Sequence, residues 1–267
     1  MPEGNETHRW AELHASMFAG KRVSVDSPQG RFLDAGLLDR QVLQGVLAVG
    51  KHIGYDFGII KRERRILHVH MGLYGDFAEG QQPMPEPRGA LRLRIWDKQQ
   101  WLELRGPTDC SVWSEATWQT LLERLGPDPL NGDAPTRMID RIAKRKTPIG
   151  LLLMDQSIVS GLGNIFRAEI LFRAGISPFT PGSEVSETAL KAMWKDAKTL
   201  MPQAMVDRRI VTTRTKHRPH KRGEALNEEA HYVYRRQGRG CLLCDARVET
   251  KVFGGRNLFW CPGCQPA

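Results

Sequence analysis

The chain has 267 residues, with 39 Lys and Arg against 30 Asp and Glu, so its formal net charge is +9. This length suits two domains with real cores, and the ordinary apolar content excludes a disordered protein. The positive excess favours a polyanionic partner, nucleic acid before an acidic membrane. No apolar run is long enough to cross a bilayer, and the opening residues do not resemble a secretory signal. We therefore expect a cytoplasmic protein with no membrane partner.

The chain opens with MPEGNETHRWAELHASMFAG. Apolar residues recur at helical spacing from Trp10 to Met17 and predict an amphipathic helix over residues 6–19. Asn5 is the expected N-cap, and Pro2 fits a turn before it. A terminus of this kind ordinarily frays and carries no chemistry. A chemical role for these opening residues therefore needs support from motifs elsewhere in the chain.

Short strands are predicted from residue 21 to about 113. LRLRIWDKQQWLEL alternates apolar and polar residues on both sides of a hairpin turn, and frequent glycines fit a bent, many-stranded antiparallel β-sandwich. Lys51 lies at a strand turn in VGKHIGYDF, where an exposed strand lysine is the plain alternative. Leu73 and Tyr74 lie between two glycines in HVHMGLYGDF and fit either a protruding loop or a buried strand. We expect His68 and His70 to be packed or surface histidines rather than metal ligands.

The second half of the chain is predicted to be helical. A short helix, EATWQTLLERLG, precedes a linker at 126–135, and four helical patterns follow: TRMIDRIAKR, LLLMDQSIVS, IFRAEILFRAG and SETALKAMWKDAKTLM. Residues 207–240 carry ten Lys or Arg against four Asp or Glu, which is +6 of the total excess. This basic segment supports a nucleic-acid partner.

A glycine-rich turn joins two of these helical patterns. In SIVSGLGNIF, Ile158 and Val159 are expected to close one helix and Asn164 to cap the next, which ends at Gly175. Such a turn directs free backbone N–H groups outward and suits a phosphate. A simple helical corner is the alternative.

Four of the five cysteines crowd the C-terminal region with the spacing C-x2-C-x16-C-x2-C. Two such thiolate pairs predict one closed, structural zinc site. Between them, VFGGRNLFW predicts a hairpin with Arg256 beside its tip, where it could meet a phosphate or remain a solvated surface residue. Cys110 stands alone and is expected to be a small buried hydrophobic residue. The predicted zinc ligands are Cys241, Cys244, Cys261 and Cys264.

Together and in this order, these motifs resemble the formamidopyrimidine-DNA glycosylase/endonuclease VIII family over essentially the whole chain. The resemblance is carried by the PEG opening, GKH, HMGLYG, SGLGNIFRAEILF and GGRNLFWCPGCQ. It implies an α+β fold with an N-terminal helix on an antiparallel β-sandwich and a C-terminal helical domain with a helix–two-turn–helix and a zinc-finger hairpin. The implied divisions are a catalytic domain at 1–125, a linker at 126–135, a helical domain at 136–225 and a four-cysteine finger at 226–267.

The resemblance also implies a bifunctional DNA glycosylase/AP lyase of base excision repair that acts on damaged duplex DNA, with single-stranded DNA left open. It implies a monomer that associates with the nucleoid when bound to DNA. Pro2, once Met1 is removed, matches the nucleophile, and Glu3 the adjacent acid. The other matched positions are Glu6, a second acid of the opening helix; Lys51, a DNA-contacting hairpin lysine; Leu73 and Tyr74, the void-filling loop; and Asn164 and Arg256, the phosphate contacts.

Sequence details separate the two branches of this family. PEG rather than PEL favours the endonuclease VIII branch, whose usual substrates are oxidised pyrimidines. The other branch carries a lysine at the position of Gly150, so its absence argues against 8-oxoguanine as the main substrate. The loop has features of both branches, and Gly72 replaces a glutamine of the best-known endonuclease VIII loop. A purine-preferring glycosylase and a non-catalytic zinc-finger protein that binds damaged DNA remain the alternatives.

Overall fold

The structure is a computed structural model, which describes residues 2–266. The chain forms two compact units that divide between Arg124 and Leu125. Among the described residues, no helix is both long enough and apolar enough to span a bilayer.

From residue 2 onward, the first unit contains a long helix, ten strands and two further helices. The opening residues GNETHRWAELHASMF form α1, which packs on the fourth and fifth strands. The helices are α1 (Gly4–Phe18), α2 (Ala35–Leu38) and α3 (Glu115–Arg124), and the strands are β1 (Lys21–Arg22), β2 (Ser24–Asp26), β3 (Val42–Leu43), β4 (Gly45–Val49), β5 (His52–Ile60), β6 (Glu63–His70), β7 (Asp76–Gln81), β8 (Leu91–Trp96), β9 (Gln100–Arg105) and β10 (Asp109–Ser114).

Two antiparallel four-stranded sheets form the sandwich, in the orders β10-β6-β5-β4 and β2-β8-β9-β7. Strands β1 and β3 form a separate ribbon. Alternate residues of β5, such as Ile53 and Tyr55, enter a core that also contains Leu102 and Leu104 of the second sheet. The opposite face of β5 and β6 therefore points away from this core, since successive side chains of a strand alternate between faces.

The start of α1 differs from the prediction. The helix begins at Gly4, so Glu3 is the N-cap residue and Asn5 lies buried inside the first turn. The Glu3 carbonyl accepts hydrogen bonds from the backbone N–H groups of Glu6 and Thr7 at 3.1 and 3.2 Å. The predicted Asn5 cap is therefore wrong, because the helix begins two residues earlier than its apolar pattern predicts.

Among its described residues, the second unit contains four α-helices and a C-terminal hairpin. Of the residues predicted as the helix LLLMDQSIVS, only Leu151 and Leu152 are helical, at the end of α5 (Ile149–Leu152), and a series of turns follows as far as Gly163. Gly163, not Asn164, is the N-cap of α6, while Gly175 ends α6 in the left-handed conformation as expected. The elements are α4 (Thr136–Ala143), α5 (Ile149–Leu152), α6 (Asn164–Ala174), α7 (Glu187–Asp207), β11 (Glu249–Phe253) and β12 (Arg256–Trp260).

A buried carboxylate joins α6 to the segment that leads into the hairpin. Glu169 is fully buried, and its Oε1 accepts hydrogen bonds from the N–H groups of Val233 and Tyr234 at 2.9 and 2.8 Å. Its Oε2 accepts a hydrogen bond from the N–H of Tyr232 at 2.8 Å and another from the Thr212 hydroxyl. One side chain therefore orders three consecutive backbone amides that no strand pairs.

The C-terminal residues also have fixed partners. The Gln265 side chain is buried; its Nε2 donates to the carbonyl of Ile176 at 2.8 Å, and its Oε1 accepts from the N–H of Cys261 at 3.0 Å. The predicted fold class, an α+β chain with an N-terminal β-sandwich and a C-terminal cysteine hairpin, is confirmed.

Candidate functional site

Three of the predicted catalytic residues, Pro2, Glu3 and Glu6, lie at or just before the start of α1. Pro2 is half-buried, and Glu3 is only 2% exposed. The Thr7 hydroxyl donates to the Glu3 carbonyl at 3.3 Å, in addition to the backbone bonds of the cap. Trp10 and Phe18 of the same helix are buried in the sandwich core. The backbone beside Pro2 is therefore fixed to the core rather than frayed, and it carries a carboxylate away from bulk water.

Glu6 lies one turn along the same helix and has a charged partner. Its Oε2 accepts hydrogen bonds from Nε and Nη2 of Arg9 at 3.0 and 2.9 Å. The Glu6 side chain remains 26% exposed in this pair. Arg9 in turn lies over the Trp10 ring, 5.5 Å from its centroid. The second acid of the helix therefore differs from Glu3 in being partly solvated and neutralised.

Lys51 lies in the tight turn that joins β4 to β5. Gly50 precedes it with φ +56°, a left-handed conformation that favours glycine. The Lys51 side chain is half-buried, and its charge lowers the pKa of His70, for which burial is the larger cause. Lys51 therefore presents a cation at the end of the sheet, next to histidines.

A hydrogen-bonded histidine chain lies on the outer face of this sheet, and the sequence did not reveal it as a unit. His52 Nδ1 is 2.9 Å from His68 Nε2, and His68 Nδ1 is 2.5 Å from Asp109 Oδ2. The Trp113 ring stacks on His68 with centroids 3.7 Å apart. Only the register His52–His70 and Asp109–His70 across three strands brings these residues together.

Burial governs the charge of these histidines. It lowers the pKa of His52 to about 3, with the neighbouring His68 as the next cause. Burial also lowers the pKa of His68, although the Asp109 carboxylate acts in the opposite direction. Both rings are therefore neutral in the free protein at neutral pH. The expectation that His68 is a packed histidine is consistent with its 3% exposed side chain.

The loop between β6 and β7 exposes two large side chains. Leu73 is 44% exposed and Tyr74 is 85% exposed, so both protrude as the loop interpretation expected. The loop closes on itself through a hydrogen bond from Gly75 N–H to the Met71 carbonyl at 2.9 Å. Gly72 has φ +62°, and a Cβ there would lie 1.7 Å from the hydroxyl oxygen of Thr108. This loop therefore depends on glycine at residue 72.

In the second unit, Asn164 at the start of α6 lies against the tip of the hairpin, where Arg256 follows the turn. Asn164 Nδ2 donates to the carbonyl of Asn257 at 2.9 Å, and its Oδ1 accepts from Nη2 of Arg167. Arg167 is fully buried, and its Nη1 also reaches the carbonyl of Phe253 at 3.3 Å. The N-terminus of α6 and the tip of the hairpin are thereby joined. Within residues 2–266, no carboxylate forms a salt bridge with Arg256.

The four C-terminal cysteines converge on one point. Their sulfur atoms all lie within 4.8 Å of one another, with Cys241–Cys264 at 3.8 Å and Cys244–Cys261 at 3.5 Å. These distances are too long for disulfides, in which sulfur atoms are about 2.05 Å apart. Zinc–sulfur bonds of about 2.3 Å at tetrahedral angles place sulfur atoms about 3.8 Å apart. The donor set therefore fits a tetrahedral metal ion.

Comparisons with known proteins agree with this geometry. Residues 125–215 match the model of the formamidopyrimidine-DNA glycosylase H2TH domain. The chain is 41% identical to "Endonuclease 8 1" of Mycobacterium tuberculosis, over 99% of this chain and 100% of that protein. It is 30% identical to "Formamidopyrimidine-DNA glycosylase" of Geobacillus kaustophilus, over 84% and 82% of the two chains.

The fold is similarly matched by solved structures. The Lactococcus lactis formamidopyrimidine-DNA glycosylase in complex with abasic-site DNA superposes with a TM-score of 0.80 at 19% identity, covering 99% of this chain and 100% of that one. A second structure, of MutM with DNA containing carbocyclic 8-oxoguanine, gives the same score over the whole of both chains. With a full-length relative at 41% identity, the chain belongs to the formamidopyrimidine-DNA glycosylase/endonuclease 8 family of DNA repair glycosylases with AP lyase activity.

Proposed function

We propose that this chain removes oxidised bases, mainly pyrimidines, from DNA through an iminium formed on Pro2, and then cleaves the strand by β- and δ-elimination. The observation that carries the proposal is the buried Glu3 carboxylate, which immediately follows Pro2 on a helix fixed to the core. The proposal requires removal of Met1, since the free secondary amine is the nucleophile. An unperturbed α-amine has a pKa of about 8, so an appreciable fraction is neutral at neutral pH.

The proposed reaction begins when the Pro2 nitrogen attacks C1′ of the damaged nucleotide. The N–C1′ bond forms as the bond to the base breaks; the base leaves with that electron pair and takes up a proton, and the Pro2 nitrogen, now bonded to C1′, releases its own proton to water. Glu3 protonates the ring oxygen as the sugar opens, which produces the iminium. Loss of a C2′ proton to a base then expels the 3′ phosphate, and a further elimination expels the 5′ phosphate. Water hydrolyses the remaining iminium and regenerates the amine.

The other candidate residues are assigned to binding DNA. Lys51, Asn164 and Arg256 would contact phosphates, and the absence of a salt bridge to Arg256 within residues 2–266 leaves its charge available for this role. Leu73 and Tyr74 would fill the space left by the extruded nucleotide, which their exposure supports. Glu6, neutralised by Arg9, would support the catalytic helix beside Glu3.

We assign one structural zinc ion to Cys241, Cys244, Cys261 and Cys264. The spacing of the four sulfur atoms supports zinc, and a closed thiolate set leaves no position for substrate. Bound zinc would supply the cross-link that holds the small hairpin together. The hairpin would then position Arg256 beside Asn164.

The preference for pyrimidines is supported by the surroundings of Gly150. A Cβ at this residue would lie 2.8 Å from the carbonyl oxygen of Pro178, and Gly150 N–H donates to the same oxygen at 2.9 Å. The lysine found here in the other branch would therefore require a shift of the backbone. This packing supports a lesion pocket without that lysine.

Borohydride trapping tests the proposal. Protein with a free Pro2 amine should form a covalent complex with DNA carrying 5-hydroxyuracil or an abasic site, and should excise 5-hydroxyuracil faster than 8-oxoguanine. Glu3→Gln should slow base excision by about 10²–10⁴-fold while DNA affinity changes little, since a proton donor is removed. Glu12→Gln, an exposed carboxylate on the same helix, is the matched control. Failure of the unmodified protein to be trapped on abasic DNA would overturn the mechanism.

A further inference from the structure

The chain from Asp109 through His68 to His52 ends beside the proposed DNA-contacting lysine. Asp109 is itself held by Ser111, whose hydroxyl donates to both carboxylate oxygens at 3.1 and 2.9 Å. His68 is almost completely buried between the Trp113 ring and the sheet. Nε2 of His52 has no hydrogen-bond partner among residues 2–266. The chain therefore has a fixed carboxylate at one end and an unused nitrogen at the other.

Hydrogen-bond polarity determines what that nitrogen can do. With neutral rings, His68 Nδ1–H donates to Asp109, so His68 Nε2 carries a lone pair and accepts from His52 Nδ1–H. His52 Nε2 then also carries a lone pair, which repels a phosphate oxygen. His52 can donate from Nε2 only if the chain gains one proton.

We propose that phosphate binding beside Lys51 makes the hydrogen-bonded series Asp109–His68–His52 take up one proton. This proton converts His52 Nε2 into a hydrogen-bond donor to the DNA. Solvent supplies the proton to His52 Nε2. The proton on His52 Nδ1 passes to His68 Nε2, so one N–H bond breaks as another forms. The product is a neutral His52 and a His68 imidazolium, paired with the Asp109 carboxylate. The proposal rests on the proposed function, because it assumes that Lys51 contacts a phosphate.

The charges around the chain determine the direction of the pH effect. Lys51 and His70 face His52 at the turn, Asp109 faces His68 from β10, and Arg124 faces His52 from the end of α3. In the protein without DNA, protonation of these histidines is unfavourable, because burial and the neighbouring cations lower the pKa of His52. A bound phosphate offsets the cations, and Asp109 stabilises the imidazolium. The complex therefore binds more protons than the free protein, and DNA affinity should fall as pH rises.

The test is the Kd for duplex DNA with a tetrahydrofuran abasic analogue, measured from pH 6.5 to 8.5 at constant ionic strength. This analogue cannot form the iminium, so the assay reports binding alone. The Kd of the unmodified protein should rise with pH, by up to about tenfold per pH unit where one proton is linked. Asp109→Asn keeps an acceptor for His68 but loses the charge. Its Kd should therefore be higher than that of the unmodified protein at pH 6.5 and close to it at pH 8.5, so the Kd depends less on pH.

Two controls separate this effect from a change of net charge or fold. Glu12→Gln removes an exposed carboxylate of the same unit and should retain the full pH dependence. Ser111→Ala removes a hydrogen-bond partner of Asp109 without changing the net charge of the protein. This variant should also retain the full pH dependence of the Kd. Parallel profiles for Asp109→Asn and the unmodified protein would overturn the inference. If trapping on abasic DNA succeeds while the profiles are parallel, only this inference fails; if trapping itself fails, the proposed function fails.

Discussion

Replacing Glu169 with glutamine should strongly destabilise the second unit. The carboxylate accepts four hydrogen bonds, from three consecutive backbone amides and one hydroxyl. An amide side chain has one acceptor oxygen and places an NH₂ group where the other oxygen was. The least costly arrangement keeps the bonds from Val233 and Tyr234, lets the Thr212 hydroxyl reverse its role, and leaves the Tyr232 N–H facing a donor.

The magnitude of this effect follows from the geometry. A buried donor without a partner costs about 1–3 kcal/mol, and loss of charge from the two remaining bonds weakens each by about 1 kcal/mol. Glu169→Gln should therefore lower the free energy of unfolding by about 3–5 kcal/mol. The segment ordered by Glu169 leads into the cysteine hairpin, so bound metal should also be released at a lower denaturant concentration.

Urea denaturation, followed by metal release to a chromogenic chelator, measures this change in the second unit directly. Glu184→Gln, an exposed glutamate of the same unit, is the matched control and should leave the midpoint unchanged. A Glu169→Gln protein within about 1 kcal/mol of the unmodified one would refute the assignment of these bonds as a major stabilising element.

Three further predictions concern other parts of the molecule. Gly150→Ala should lower the melting temperature and leave an abasic-DNA nick rate unchanged per folded molecule, because its Cβ meets the Pro178 carbonyl; an unchanged melting temperature would contradict this packing. Chelation of the metal should abolish DNA binding while far-UV signal from the sandwich persists, and added zinc should restore binding. Cys110 should resist alkylation at pH 8 in the folded protein and react after unfolding, since burial raises its thiol pKa to about 12; prompt labelling in a Cys110-containing peptide would argue against that burial.

Sequence patterns predicted much of the fold where an element depends only on residues that are close together in the sequence. The apolar spacing of Trp10 and Met17 predicted α1. The alternation of apolar and polar residues around residues 91–105 predicted a hairpin, which the structure shows as β8 and β9. The cysteine spacing likewise predicted the four cysteines whose sulfur atoms the structure brings together. Each of these signals lies within one element or one short loop.

The errors arose where distant residues decide the local conformation. The expected helix through Ile158 and Val159 is replaced by turns whose backbone lies so close to Gly126 that a Cβ there would be 2.4 Å from Ile158. Ser160 N–H also donates to the Pro127 carbonyl at 3.0 Å. A contact with residues more than 30 positions earlier leaves no trace in a helical pattern.

The hydrogen bonds that join the histidines to Asp109 were not predicted, for a related reason. His52, His68 and Asp109 are far apart in sequence, and each looks unremarkable within its own strand. Their contact depends on the register of three strands, which the turns and bulges set. Sequence alternation indicates which face a residue occupies but not which residue of the next strand it meets.

The buried Gln265 bears on how the protein can be fused to other sequences. A tag before Pro2 would keep the proposed nucleophilic amine in an amide bond. At the other end, Gln265 is anchored to Ile176 and Cys261, whereas Pro266 is exposed. An affinity handle or fluorophore should therefore follow Pro266 through a flexible spacer, with Gln265 retained, so that labelling preserves both the hairpin and the amine.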